Sequence, residues 1–337
     1  MRILQFIPWF ESNGITCEYS LFIDDKMLEW KYKHNSYRFI SLLIAYYRRI
    51  KIMLKAHHFN LVFIEKESLP FFSSIIEKIL LHGVPYILDY DDAVFHNYDL
   101  SASAYIRFLY SRTIDKAMAN ANLVIAGNRY IAQHAIDAGT SHVVIIPTVI
   151  DLNKYNLKCT YNTNSNLFKI VWIGSSSTSH YLDLIREPLI RINQKYNIQL
   201  RIIGGNSYSI PNINIDQYIW SESTEADLIK ECDIGIMPLY NTPWEYGKCG
   251  YKLIQYMACG LPVVASPIGV NREIVRNGIN GYLADDSDSW FEALSLLINS
   301  IETRKKMGEA GRKQVEEKYC IQSIAPKLIN LLFDTIS

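Results

Sequence analysis

The chain has 337 residues, 49% of them apolar, with 34 Lys+Arg balanced by 34 Asp+Glu. That length exceeds what one hydrophobic core usually organises, so two α/β domains are expected. A net charge of zero excludes a chain-wide field able to hold nucleic acid, and leaves any anionic ligand to local groups.

The cysteines (Cys17, Cys159, Cys232, Cys249, Cys259, Cys320) form no CxxC pair or His-Cys cluster, against a disulfide framework or structural zinc. A reducing cytoplasm fits them, and no metal or cofactor is expected. The opening MRILQFIPWFESNG has too short an apolar run for a signal peptide and reads as a buried strand followed by a turn at Asn13 and Gly14. No apolar stretch reaches the roughly 20 residues of a spanning helix.

From Tyr37 to Lys55, Ile40, Leu43, Ile44, Tyr47, Ile50 and Leu54 share a helical face among Arg38, Arg48, Arg49, Lys51 and Lys55. Such a helix either covers its own sheet or lies on anionic lipid, at the inner face of the cell membrane. LVFIE, YILDY, LVIAG and VVIIP then follow as short β-branched runs, the pattern of parallel strands covered on both faces. In DYDD the chain leaves a strand at the sheet edge where open α/β folds bind ligands. Crowded carboxylates there repel, which suits Asp91 or Asp92 to proton exchange with a hydroxyl, or else one of them caps the next helix.

A polar, Asn-rich stretch, DLNKYNLKCTYNTNSNLF, reads as a linker and places the boundary near Asp151. The expected units are residues 1–150, 151–320 and a C-terminal amphipathic helix, 321–337, whose Ile324, Leu328, Leu331 and Leu332 must cover something apolar. KIVWIG, LRIIGG, DIGIMPL and PVVASP supply the second sheet. The whole reads as two Rossmann-like domains.

PLYNTPWEYGKCGYKLIQYMACGLPVVASPIGVN, residues 238–271, reads as strand end, loop, helix, turn and strand. Gly247 and Gly250 let backbone approach a ligand, and a helix starting at Gly250 presents N–H groups with partial positive charge. Lys248 and Lys252 oppose that helix dipole unless an anion lies between them. This is a phosphate seat. GSSSTSH, residues 174–180, brings Gly174 and Ser175 to the end of another strand, facing a phosphate or capped by Ser177 or Ser179.

With DIGIMPL, GKCGYKLIQYMACGLPVVASPIGVN, NGINGYLADD and MGEAGRKQVEEKY in order, the second half resembles the donor domain of family 4 glycosyltransferases, retaining enzymes of the GT-B fold. FIEKESLP and YILDYDDAVF resemble a bacterial subgroup with a D-x-DD-A motif. The resemblance implies two facing Rossmann-like domains, a nucleotide-sugar donor, and a glycan or lipid-linked acceptor in surface polysaccharide synthesis. It implies that Gly250 to Lys252 hold the diphosphate, that Gln255 meets the ribose, and that Asn13, Gly14 and Asn271 lie towards the donor sugar or acceptor. Trp220 falls where the family places the base, or simply packs. The family's two glutamates are Gly247 and Gln255 here, which leaves Glu245 as the available carboxylate, either on the sugar or as an exposed loop acid. Competing readings are a degenerate subunit without turnover, a nucleotide-sugar epimerase, and a metal-dependent transferase reading DYD as a D-x-D motif. A dehydrogenase is opposed by the lack of GxGxxG after any strand.

Overall fold

The computed structural model describes residues 2–34, 36–158, 167–205 and 207–336. Cys159 and the middle of the Asn-rich stretch, residues 159–166, lie outside them; the five described cysteines are free thiols. Two compact units emerge: Met1–Pro147 with Ala325–Ser337, and Thr148–Ile324.

In the first unit β1 (Val62–Glu65), β2 (Tyr86–Tyr90), β3 (Leu123–Ala126) and β4 (Val143–Ile145) pair in parallel in that order. β2 and β3 are buried along their whole length, so the runs YILDY and LVIA carry no polar alternation. The opening run is not the expected strand. Residues Leu4–Phe6 form a 3-10 turn that continues into helix α1 (Ile7–Ser12). Pro8 sits in the first turn, where a missing N–H is cost-free, and Phe6 and Phe10, four apart, stack inward at 6.0 Å. Asn13 and Gly14 therefore follow a helix. The Arg2 and Ile3 amides donate to the Glu65 carboxylate, each at 3.3 Å, which docks this segment on the C-terminal end of β1.

Helices α2 (Asp25–His34) and α3 (Phe39–Met53) follow before β1. α3 sends Ala45 and Met53 into the core, with Tyr46 and Ile50 packed beside them.

In the second unit the strands are β5 (Leu167–Gly174), β6 (Asn197–Gly204), β7 (Asn214–Tyr218), β8 (Ile234–Met237), β9 (Val263–Ala265) and β10 (Gly281–Leu283). All pair in parallel in the order β10-β9-β8-β5-β6-β7. The chain winds outward from β5 to β7, then returns to β8 and winds the other way. The strand order reverses between β5 and β8, and a crevice opens at the carboxyl ends of such a pair. Helix α4 (Glu225–Lys230) precedes β8, and α5 (Pro243–Tyr246) and α6 (Tyr251–Ala258) follow it. Helix α7 (Ile321–Ile336) begins in the second unit, where the Ile321 amide bonds Ile150, and from Ala325 onward packs with the first, burying Leu328 and Leu332.

Candidate functional site

The start of α6 is built on a residue that only glycine can be. Gly250 has φ +67°, and a Cβ there would lie 2.3 Å from the Ile274 side chain. No side chain caps the helix. Lys252, in the first turn, holds its ammonium 4.5 Å from the centre of the Trp172 ring, and Lys248 lies 5.3 Å from that of Trp244. Burial, followed by the positive charge of Lys248, pushes the Lys252 ammonium down to about 7. Among the described residues no carboxylate pairs with Lys252. Two cations thus repel at a helix start whose dipole repels them too, an arrangement that an anion relieves.

Trp172 links this helix to the end of β5. A Cβ on Gly174 would meet its ring at 2.4 Å, so the ring lies against the Gly174 backbone on one side and carries Lys252 on another. Ser175, the next residue, is exposed and precedes a 3-10 helix, Ser176–Ile185. Neither Ser177 nor Ser179 caps it, contrary to the capping expectation: both lie inside it, with Ser177 sharing a 2.9 Å hydroxyl bond with Ser175. Asn271 is fully buried. Its amide nitrogen donates to the Ser266 carbonyl at 3.0 Å, while its Oδ1 has no donor among the described residues and lies 3.7 Å from the Cβ position at Gly250. Gly174, Ser175, Gly250, Lys252 and Asn271 thus border the reversal point between β5 and β8.

Glu245 departs from one of the two readings the sequence offered. Glu245 is no exposed loop acid: it lies in α5, 6% exposed, accepting from the Tyr181 hydroxyl at 2.6 Å and from the Thr242 hydroxyl. Gln255, 2% exposed, points its amide nitrogen at the Tyr155 hydroxyl (2.9 Å) and at Glu225 (3.0 Å). Glu225, which sequence reasoning missed, is the hub of this cluster. Its carboxylate also accepts from the Tyr155 hydroxyl at 2.7 Å and from the Trp220 indole N–H at 2.5 Å. Burial pushes the Tyr155 hydroxyl far above its ordinary range, and the neighbouring Tyr251 up to about 12. Half of the Trp220 side chain stays exposed beside that carboxylate. Gln255 is thus a neutral side chain with an acid from α4 against it.

In the first unit Asp91 and Asp92 follow β2, and Lys66 follows β1 in the left-handed region at φ +66°. The Lys66 ammonium bridges them, 3.1 Å from Asp91 and 3.7 Å from Asp92. Burial pulls Lys66 down, but the two carboxylates outweigh it and hold the ammonium above its ordinary value. Asp89, buried in β2, pairs with Arg2 at 3.3 Å; burial pushes it up to about 7. Asn13 and Gly14 are exposed, and the Asn13 amide donates to the Trp9 carbonyl at 2.8 Å. Among the described residues no cluster of three His, Cys, Asp or Glu side chains is placed to hold a metal ion.

Residues 168–300 match the family model of glycosyl transferases group 1. That match lies within the second unit. The chain is similar to spore coat protein SA of Bacillus subtilis, 32% identical over 78 residues, which are 22% of this chain and 21% of that protein. An uncharacterized glycosyltransferase of Methanocaldococcus jannaschii, MJ1178, is 23% identical over 62% of this chain and 59% of its own length. The capsular polysaccharide biosynthesis glycosyltransferase CapM of Staphylococcus aureus is 26% identical over 53% of this chain and 49% of its own. The chain thus spans between about a fifth and about three-fifths of these relatives. Among solved structures, Anabaena HepE in complex with UDP superimposes with a TM-score of 0.66 at 16% identity, covering 85% of this chain and 82% of that one. A glycosyltransferase from Rickettsia africae covers 98% of this chain and 88% of its own, with a TM-score of 0.63 at 15% identity. These likenesses show a GT-B fold, with two Rossmann-like units.

Proposed function

We propose that the chain is a hexosyltransferase-like enzyme that moves a sugar from a nucleotide-sugar donor to an acceptor hydroxyl. The observation that carries this reading is Lys252, which no carboxylate answers among the described residues, set beside Lys248 at the left-handed start of α6 within the stretch that matches the group 1 model. As the bond to the sugar breaks, charge builds on the leaving diphosphate, and the two ammonium groups with the helix start stabilise it. Buried Asn271 supports the glycine turn and offers an acceptor atom to a sugar hydroxyl. Ser175 and the Gly174 backbone approach the same phosphates from the end of β5. Gln255, tied to Glu225, meets the ribose, and Glu245, oriented by Tyr181 and Thr242, contacts the sugar. On the first unit Asp91 and Asp92 serve the acceptor, and Asn13 and Gly14 lie towards the donor sugar or acceptor.

The reaction retains configuration and needs no metal or cofactor; Lys66 already supplies the positive charge that Asp91 and Asp92 would otherwise seek in a cation. The acceptor belongs to bacterial surface polysaccharide or a lipid-linked glycan, a reading supported by the likeness to CapM, and the chain works at the cytoplasmic face of the membrane through residues 37–55. Calorimetric titration with UDP, GDP and their sugars, followed by release of labelled sugar with and without EDTA, tests all of this. Micromolar UDP binding with EDTA-resistant transfer is expected; no binding of any nucleotide sinks the reading.

A second reading has an observation of its own. Glu245 and Gln255 both spend their polar atoms inside the protein, as in a subunit that binds donor without turnover. Donor binding with neither transfer nor hydrolysis would select it, and interconversion of free nucleotide sugars would select an epimerase.

A further inference from the structure

Helix α3 is amphipathic, yet its apolar stripe does not face the core. Ala45, Met53, Tyr46 and Ile50 make its inward side, whereas Phe39, Ile40, Leu43, Ile44, Tyr47 and Leu54 are exposed, Phe39 by 74% and Ile40 by 71%. Those six recur at helical spacing along one side, a continuous apolar strip on the surface. Arg48, Lys51 and Lys55, also exposed, border it. The surrounding charge is one-sided. Between Glu29 and Glu65 the sequence holds seven lysines and arginines and not one carboxylate, in a chain that is neutral overall.

Beside the strip lies a cavity of about 260 Å³ between α2 and α3, lined by Lys26, Trp30, Arg38, Ile44 and Arg48, with Asp24 at its edge. Arg38 lays its guanidinium 3.5 Å above the Trp30 ring, and Arg48 reaches Asp24 at 3.3 Å in an exposed pair. Three cations against one carboxylate leave this cavity positive. It falls below the roughly 300–1,000 Å³ of sites that enclose whole small ligands, which suits a single anionic headgroup. Ile44 belongs both to its lining and to the apolar strip, so a molecule seated there would have its charged end among the arginines and its apolar end along the helix.

We propose that α3 lies flat on an anionic bilayer, its strip of Phe39, Ile40, Leu43, Ile44, Tyr47 and Leu54 in the acyl boundary and a lipid phosphate seated among Lys26, Arg38 and Arg48. This deepens the reading that residues 37–55 meet a membrane. A basic amphipathic helix binds such surfaces by apolar burial and charge attraction together. A second copy of the chain is the poorer occupant, because pairing two such faces brings like-charged rows of Arg48, Lys51 and Lys55 together.

The test is sedimentation of the full chain with phosphatidylcholine vesicles, with and without phosphatidylglycerol. Phosphatidylglycerol is expected to strengthen binding at least about tenfold, and Arg38→Glu with Arg48→Glu to remove that preference. Phe39→Ser with Ile40→Ser should lower binding to the anionic vesicles about tenfold; both pairs are exposed, and unchanged circular dichroism and UDP affinity check that folding and the donor site survive. Equal binding to neutral vesicles overturns the proposal, as does a lipid-free dimer broken by Phe39→Ser with Ile40→Ser. So does displacement from the vesicles by millimolar free glycerol phosphate, which would make the cavity a soluble-phosphate site. Vesicle binding without UDP binding would remove the transferase reading and leave this one standing.

Discussion

Lys66 and Lys252 both stand near the carboxyl edge of a parallel sheet, and burial acts on both in the same direction. In the first unit, Asp91 and Asp92 answer Lys66 and hold it above its ordinary value. In the second, burial acts first and the charge of Lys248 adds to it, and Lys252 falls to about 7. The first cation is satisfied from within and stays charged at any physiological pH. Among the described residues no carboxylate answers the second, so an anionic ligand that does so relieves the cost burial imposes on its charge.

The sharpest way to break this contrast is to remove Lys252 together with Lys248. Lys248→Ala with Lys252→Ala should weaken UDP binding by about 10²–10⁴, at about 1.5–3 kcal/mol for each charge-assisted contact, without lowering the melting temperature. Titration calorimetry on both variants measures this, and an unchanged affinity would dismiss the phosphate seat. Next, Asp91→Asn with Asp92→Asn should lower kcat for transfer by about a hundredfold while leaving the UDP Kd within about twofold, separating acceptor chemistry from donor binding. A loss confined to donor affinity would place these acids with the donor instead.

A smaller effect comes from pH. Diphosphate binds the protonated form of Lys252, so affinity is fully present below pH 7 and falls about tenfold per pH unit above it, until the bound-state value is passed. Lys252→Arg should flatten that profile, because arginine stays charged throughout. A profile equally steep in the arginine variant would assign the titration elsewhere. The smallest expected change is Glu225→Gln, which keeps the shape of the Tyr155–Gln255–Trp220 cluster but loses its charge. It should destabilise the fold by about 1–3 kcal/mol in urea titration and alter UDP affinity by less than about tenfold. A far greater loss of affinity at full stability would make Glu225 a direct donor contact.

Much of the fold was legible because parallel strands buried on both faces announce themselves locally. YILDY, LVIAG, KIVWIG and DIGIMPL are β-branched runs ending at turns, and each contains a strand. The opening run misled because Pro8 and the i, i+4 pair Phe6 and Phe10 favour a helix, a cue hidden in an apolar stretch too short for periodicity to decide. Of the candidate site, the glycine and lysines around residue 250 were readable from spacing. Glu225 was not, since thirty residues separate it from Gln255 and nothing in TEADLIK marks that acid as turned inward.

The amino-acid order by itself determined the α/β class and the two-sheet layout, and it set two lysines around a helix start, because strand period, turn residues and helix capping are short-range properties. Only tertiary structure decided which groups find charged partners: Lys66 its aspartates, Gln255 its glutamate, Lys252 no carboxylate among the described residues. It also decided that the apolar side of α3 faces outward. Burial and ion pairing depend on what distant segments bring alongside, and that is fixed by packing rather than by neighbours in the chain.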